Sequence, residues 1–380
     1  MKSQIHKWMA LVAMLFCLVF VVTNATAKKP PKPPPEPPMD SCETSEAYFP
    51  AFMFWKQAGT RKNRNRTIYL ASEDGVCIRV LGDIPHSEIA PVQNTAFSYN
   101  RDTNHGRVVW GDWYGGAGEV WLQEFDVEGN TITDLPDPEL ILVLPDHANT
   151  DLLAARFNDI DISPDLLKLA FIFSEVRLAG ITYEIHVVEI DDCRDSPCEP
   201  STATQILSDG VEYAPNQTTL WRKITWGPLG DRIYLQQTRG FYDVSEQSGV
   251  RMITKIEGSW IDQELFTEDE YPEYDGVLYL TSGIFDEREK LAFQHYGDCY
   301  TISVIDVADC EAGSCAAEAQ TFGAGPSWTD NGTIIHGIIE KGKLNKHFGT
   351  YTCTGGFIGE WDPVSSEVTP LVEGAGPDAG

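Results

Sequence analysis

Short apolar runs closed by polar turns recur along most of this chain. Ile162-Ser163-Pro164-Asp165 is followed by Lys168-Leu169-Ala170-Phe171, and Trp226-Gly227-Pro228-Leu229-Gly230-Asp231 by Arg232-Ile233-Tyr234-Leu235. Phe285-Asp286-Glu287-Arg288 precedes Lys290-Leu291-Ala292-Phe293, and Trp328-Thr329-Asp330-Asn331-Gly332 precedes Thr333-Ile334-Ile335-His336. Phe97-Ser98-Tyr99-Asn100 with Arg107-Val108-Val109-Trp110 is a looser copy. Each copy predicts a strand, a tight turn and a second, buried strand. Pro presets φ, Asp and Asn accept local backbone hydrogen bonds, Gly supplies positive φ, and the apolar run is rich in branched and aromatic residues.

A third strand follows each time, as in Glu119–Leu122, Glu184–Ile190 and Thr301–Val307, and a more polar fourth, as in Ala203–Leu207. Near the start, Ile68–Gly75 and Val76–Leu81 read as third and fourth strands behind Ala51–Phe54. Second strands begin at Ala51, Val108, Leu169, Ile233, Leu291 and Ile334, at steps of 57, 61, 64, 58 and 43 residues. No stretch between Ser41 and Gly374 carries a sustained helical period. The repeat therefore predicts an all-β fold, a six-bladed β-propeller of four-stranded antiparallel blades over residues 41–374, with 375–380 as a disordered tail. The "SPD…KLAF" turn-plus-strand, "IYLASEDG" and "PSWTDNG" resemble the repeat of TolB-like propellers. Leu166 stands where that repeat has Gly, and Phe285-Asp286-Glu287-Arg288 departs from it. The resemblance implies the fold and a protein-binding role, and brings no catalytic residue with it.

The ends add a compartment. Lys2 and Lys7, the apolar run Trp8–Val22 and the small pair Ala25 and Ala27 read as a secretory signal peptide over 1–27, too short to span a bilayer comfortably. Retention as an anchor stays open. Residues 28–40, KKPPKPPPEPPMD, read as a stiff Pro-rich linker. Eight cysteines follow the leader, an even number that suits disulfides in a periplasmic or secreted protein. Cys193/Cys198 and Cys310/Cys315 share one C-x4-C spacing and are expected to staple their own turns. Cys42, Cys77, Cys299 and Cys353 permit three connectivities, of which 42–77 with 299–353 is the most local.

The formal net charge is −29, with 57 Asp+Glu against 28 Lys+Arg. Such a chain is not expected to bind nucleic acid. Its cations are nonetheless clustered. Lys56, Arg61, Lys62, Arg64 and Arg66 fall in the loop expected between the second and third strands of the first blade. Lys341, Lys343, Lys346 and His347 fall in the equivalent loop of the sixth, which becomes its neighbour on ring closure. Beside them Trp110, Trp113 and Tyr114, in WGDWYGG, offer flat rings. These three loops form the candidate binding surface; a solvated basic loop beside a partly buried aromatic cluster is the plainer alternative.

Enzyme signatures are weak. The chain has no G-x-S-x-G, H-E-x-x-H or Walker motif, and its histidines are scattered. Asp112, Asp159, Asp161 and Glu175 could serve a hydrolase- or lyase-type propeller acting on carbohydrate, and Asp159 and Asp161 beside Asn158 could hold calcium. The reading that results is an exported, non-catalytic binding or scaffold module. No cofactor or metal is expected, nor a membrane span after cleavage. The expected state is a monomer whose partner is an envelope or extracellular protein or an anionic ligand.

Overall fold

The structure, a computed structural model, describes residues 42–43, 45–60, 63–84, 95–112, 118–144, 152–177, 180–212, 218–241, 244–267, 269–274, 276–295, 300–329, 331–340, 344–345, 350–351, 354–373 and 375–379. The chain divides into Met1–Pro37 and Pro38–Gly380, and every described residue belongs to the second unit. The leader and linker expected over residues 1–40 lie outside the described residues. Among the described residues no helix is long and apolar enough to cross a membrane.

The unit is all-β and antiparallel. β1 (Phe52–Thr60), β2 (Asn63–Ala71) and β3 (Ile78–Ile84) form the first array. β4 (Thr95–Asn100), β5 (His105–Asp112), β6 (Glu119–Glu128), β7 (Thr131–Asp134) and β8 (Glu139–Val143) form the second, with β7 and β8 both on β6. β9 (Leu152–Ile162), β10 (Lys168–Arg177), β11 (Gly180–Glu189) and β12 (Thr204–Glu212) form the third. β13 (Thr218–Trp226), β14 (Arg232–Phe241), β15 (Val244–Ile256) and β16 (Ser259–Thr267) form the fourth. β17 (Tyr279–Phe285), β18 (Arg288–His295), β19 (Thr301–Asp306), β20 (Ala319–Trp328), β21 (Ile334–Glu340), β24 (Thr354–Trp361) and β25 (Val368–Glu373) run as one seven-stranded path. That path is two arrays sharing a strand, because β20 gives Ala319–Phe322 to β19 and Gly323–Trp328 to β21. β22 (Leu344–Asn345) and β23 (Thr350–Tyr351) pair with each other, and the five-residue helix α1 (Val307–Glu311) follows β19.

The residues expected to trail from the fold do otherwise. Ala375–Ala379 form β26, which pairs antiparallel with β1 through Phe52↔Ala379, Met53↔Asp378 and Trp55↔Ala375. The first array thus takes its first strand from the end of the chain.

Among the described residues the apolar side chains gather in six clusters, each joining two arrays. Met53 and Leu70 meet Val108 and Trp110; Val109 and Leu122 meet Phe157 and Phe171; Ile172 and Ile185 meet Ile233 and Leu235. Tyr234 and Phe266 meet Leu291 and Phe293; Ile302 and Val304 meet Ile334 and Trp361; Phe52 and Phe54 meet Ile335 and Ile358. The last cluster joins the sixth array to the first. The first strands follow the same cycle: β26 adjoins β4, then β9, β13, β17 and β20 follow in contact, and β20 adjoins β26.

The turns repeat in detail. Ser163 Oγ donates to Asp165 (2.5 Å) and accepts the Lys168 amide (2.8 Å); Ser72 Oγ does the same with Asp74 (2.6 Å) and the Cys77 amide (2.8 Å). The fourth residue of the Ser72 turn, Gly75, has φ +68°; Leu166 holds φ +65° in the Ser163 turn. A left-handed leucine is strained by about 1–3 kcal/mol. Two contacts hold it there: its side chain is buried in the cluster between the second and third arrays, and its carbonyl accepts from the buried Arg107 guanidinium. Cys42–Cys77, Cys193–Cys198 and Cys310–Cys315 are paired, while Cys299 and Cys353 lie outside the described residues.

Truncation after Gly374 removes β26 and leaves the β1 edge open. It is expected to cost about 2 kcal/mol or more, a drop of roughly 4 °C in melting midpoint, read by calorimetry on the oxidised protein.

Candidate functional site

One buried polar group lies on three neighbouring first strands, β9, β13 and β17. A bulge at Asn158, between Phe157 and Asp159, shifts the register of β9 against β10. Asp159 and Asp161, two residues apart, both reach the free edge of β13. Asp159 Oδ2 accepts the Ile224 amide (2.8 Å) and its Oδ1 meets Lys223 Nζ (2.7 Å). Asp161 Oδ2 accepts the Trp226 amide (2.7 Å), and Trp226 Nε1 donates to the Asp161 carbonyl (3.2 Å). On the far side Lys223 Nζ lies 5.3 Å from the Tyr279 ring centre, and Ser282 Oγ on β17 donates to the Trp226 carbonyl (2.5 Å).

Burial pushes both carboxyls up. Asp159 is raised by burial against the opposing pull of Lys223. Asp161, which has no such ammonium, is raised by burial to about 7, with the Trp226 amide pulling it down and Asp159 pushing it further up. The oxygens of Asp159 face the Ile224 amide and the Lys223 ammonium, and those of Asp161 face the Trp226 and Ile162 amides. This arrangement ties arrays together through donors of the chain itself, at the residues read from sequence as a candidate calcium site. Glu175 is held by Arg177 (2.9 Å). Asp306, Asp309 and Glu318 also lie close enough to share an ion, but the chain's own cations fill the gap. Lys290 Nζ is 2.7 Å from both Asp306 and Glu318, and Arg288 bonds Asp306 (2.8 Å) and Asp309 (2.9 Å).

A second network joins the second and third arrays. Glu124 on β6 takes Arg107 (2.8 Å), directly opposite on β5, and Arg194 from beside the Cys193–Cys198 staple. Burial raises the Glu124 carboxyl, but the bonds from Arg194 and Arg107 outweigh it and hold it below the usual range. Lys168↔Glu189 and Lys290↔Asp306 repeat the cross-strand cation–acid pairing of Arg107↔Glu124. Sequence reading missed these links because acidic residues are too common here for three of them to stand out.

The residues of the expected basic surface fall as follows. Lys56 lies in β1, opposite Thr67, with Nζ 5.7 Å from the Phe54 ring and 5.4 Å from the Tyr69 ring. Arg64 and Arg66 lie in β2, opposite Gly59 and Gln57. Over its described residues the expected loop is therefore a strand hairpin, with Phe52–Thr60 paired to Asn63–Ala71. Residues 57–60 and 63–65 continue beyond the segments that pair with β26 and β3. Trp110 is not an accessible platform: it is 4% exposed on β5, packed in the cluster between the first and second arrays. Arg61, Lys62, Trp113, Tyr114, Lys341, Lys343, Lys346 and His347 lie outside the described residues.

No protein-family model and no curated protein matches this sequence. Among solved structures, a hypothetical selenium-binding protein from Sulfolobus tokodaii is similar at 9% identity and TM-score 0.42, over 90% of this chain and 94% of that one. The Cps50 (Swd1) β-propeller domain of Myceliophteria thermophila is similar at 8% identity and TM-score 0.38, over 86% and 87%. Prolyl oligopeptidase B of Galerina marginata is similar at 10% identity and TM-score 0.39, over 85% of this chain but 42% of that one. Likenesses this remote assign no family and no activity.

Two outcomes follow from the carboxylate link. Asp161 binds its proton more tightly folded than unfolded, so its contribution favours the fold at low pH and is lost as pH rises from the unfolded value through about 7. Asp161→Asn keeps an acceptor for the Trp226 amide without the charge. It is expected to raise the melting midpoint by a few degrees at pH 8 and to have little effect at pH 4, read by thermal scans at both. Lys223→Met leaves Asp159 buried without its ammonium and is expected to cost about 3–5 kcal/mol at pH 8, read by denaturant titration.

Proposed function

We propose that this chain is an exported six-bladed, TolB-like β-propeller that works as a binding or scaffold module. Its anionic ligand or partner protein docks on a cationic seam between the first and last blades. The cycle of six apolar clusters and the contacts among first strands favour six blades over an open stack. The three cysteine pairs favour an oxidising compartment.

The observation that carries the seam is the cluster that packs Phe52 and Phe54 of the first array against Ile335 and Ile358 of the sixth. It favours a seam at which the β1–β2 hairpin meets the connection from β21 to β24. Between them the two segments contain eight Lys and Arg, on a chain of net charge −29. A local positive field reaches about one Debye length, ~8 Å at physiological salt, so a cationic rim can act on a ligand that the rest of the chain repels.

The test is retention on immobilised heparin, a polyanion. The protein lacking residues 1–27 is expected to be retained at low salt despite its net charge. The combination Arg61→Glu, Arg64→Glu, Lys343→Glu and Lys346→Glu is expected to pass through unretained with an unchanged circular dichroism spectrum. Equal elution of the two proteins would remove the seam as a binding surface.

A further inference from the structure

A cleft of about 460 Å³ opens beside the fifth array, lined by Glu273, Tyr274 and the five consecutive residues from Ala316 to Gln320. Its walls are held from several directions. The Cys310–Cys315 disulfide closes the loop that leads into Ala316. Tyr274 Oη donates to the Cys315 carbonyl (2.7 Å), and burial pushes that phenol up to about 12, so it stays a donor. Tyr271 Oη accepts the Cys315 amide (2.9 Å) and donates to the Gly313 carbonyl (3.1 Å). Glu318 is tied to Lys290 (2.7 Å). A cleft fixed in this way loses little freedom when something binds in it.

The cleft borders a strand with main-chain groups to offer. Over Ala319–Phe322 the ladder partner of β20 is β19, and β21 takes over from Gly323. The Gly323 amide bonds the Tyr300 carbonyl (3.1 Å). By alternation along the strand, the main chain of Gln320 then faces away from β19. Protein edges of this kind are normally blunted with lysine or proline. The segment from Ala316 to Phe322 contains neither, and three of its seven residues are alanine. The surroundings are acidic: Asp269, Glu270 and Glu273 are all exposed on the connection that carries Tyr274.

We propose that this edge accepts an extended basic peptide from another protein by strand addition. The main chain of Gln320 pairs with the peptide backbone, the small side chains of Ala316, Ala317 and Ala319 leave room for it, and Glu273 with its acidic neighbours selects lysine or arginine at the positions facing them. This surface is on the fifth array and is independent of the cationic seam, which takes ligands of the opposite charge.

The probe is a fluorescent six-residue peptide alternating lysine with threonine and valine, titrated into the oxidised protein lacking residues 1–27. Its twin carries N-methyl groups on the backbone amides of one edge. The plain peptide is expected to bind saturably and the N-methylated one about tenfold or more weakly, since charge is identical and only main-chain pairing is lost. Gln320→Pro removes the outward amide and is expected to weaken the plain peptide to the same level. Gln320→Ala, which keeps the amide but loses the side-chain bond to Ser303, is expected to bind like the parent. Glu273→Lys is expected to weaken binding several-fold. Equal affinity for the plain and N-methylated peptides would overturn the proposal, because it would reduce binding to attraction between a basic peptide and an acidic protein. That comparison uses only the unmodified protein and stands even if the proline variant does not fold.

Discussion

A backbone N–H at the free edge of a strand, turned toward a neighbouring sheet and away from water, must find an acceptor or cost about 1–3 kcal/mol. β13 ends its sheet, and its Ile224 and Trp226 amides face β9. Asp159 and Asp161 accept them, and so perform with side chains what another strand would perform with carbonyls. The same solution recurs with other chemistry: Gln294 on β18 accepts the Gly325 amide of β20 (2.8 Å), and Gln236 on β14 donates to the Val277 carbonyl just before β17 (2.6 Å). Apolar clusters supply the contact area between arrays. The side-chain-to-edge bonds set which strand meets which, because each needs its donor and acceptor at one register. Specifying that register with buried carboxylates has a cost, visible in the raised Asp161, and Lys223 limits it at Asp159 only.

The strand-turn-strand unit was legible because its signals are local. Val108, Leu169, Ile233, Leu291 and Ile334 all fall at or near the starts of β5, β10, β14, β18 and β21, where the apolar run after each turn had put them. Ser163, Pro164 and Asp165 could be read as a turn because the hydroxyl and carboxylate bond within five residues of themselves. Leu166 was visible as a departure, but not its reason: part of the cluster that buries it, and the arginine that holds its carbonyl, come from another array, 59 residues away for Arg107.

The misreadings share a cause. Residues 56–66 are polar and look like a loop; 56–60 and 63–66 are strand because each faces a partner across the hairpin, and pairing outweighs composition. Ala375–Ala379, rich in small residues and holding Gly, Pro and Asp, has almost no strand character of its own and acquires it from β1. Trp110, next to Gly111 and close to further aromatics, looked available to a ligand; the alternation of β5 turns it inward instead. In each case a neighbour across the sheet or cluster decides, and composition along the chain does not name it; for Ala375–Ala379 that neighbour is more than three hundred residues away.

The closing strand also orders events in time. A chain that emerges from its amino end can complete the second, third and fourth arrays as their residues arrive, since each draws its strands from one continuous stretch. The first array cannot be finished that way: β1 waits with an open edge until residue 379 has been delivered, more than three hundred residues later. During that interval the most exposed pairing surface is also the oldest part of the fold, which is the condition under which strand edges recruit wrong partners. Prematurely terminated chains never leave it. A chaperone that shields the first array would therefore act where the growing chain is most open to error, and whether that edge is covered distinguishes chains that hold β26 from chains that lack it.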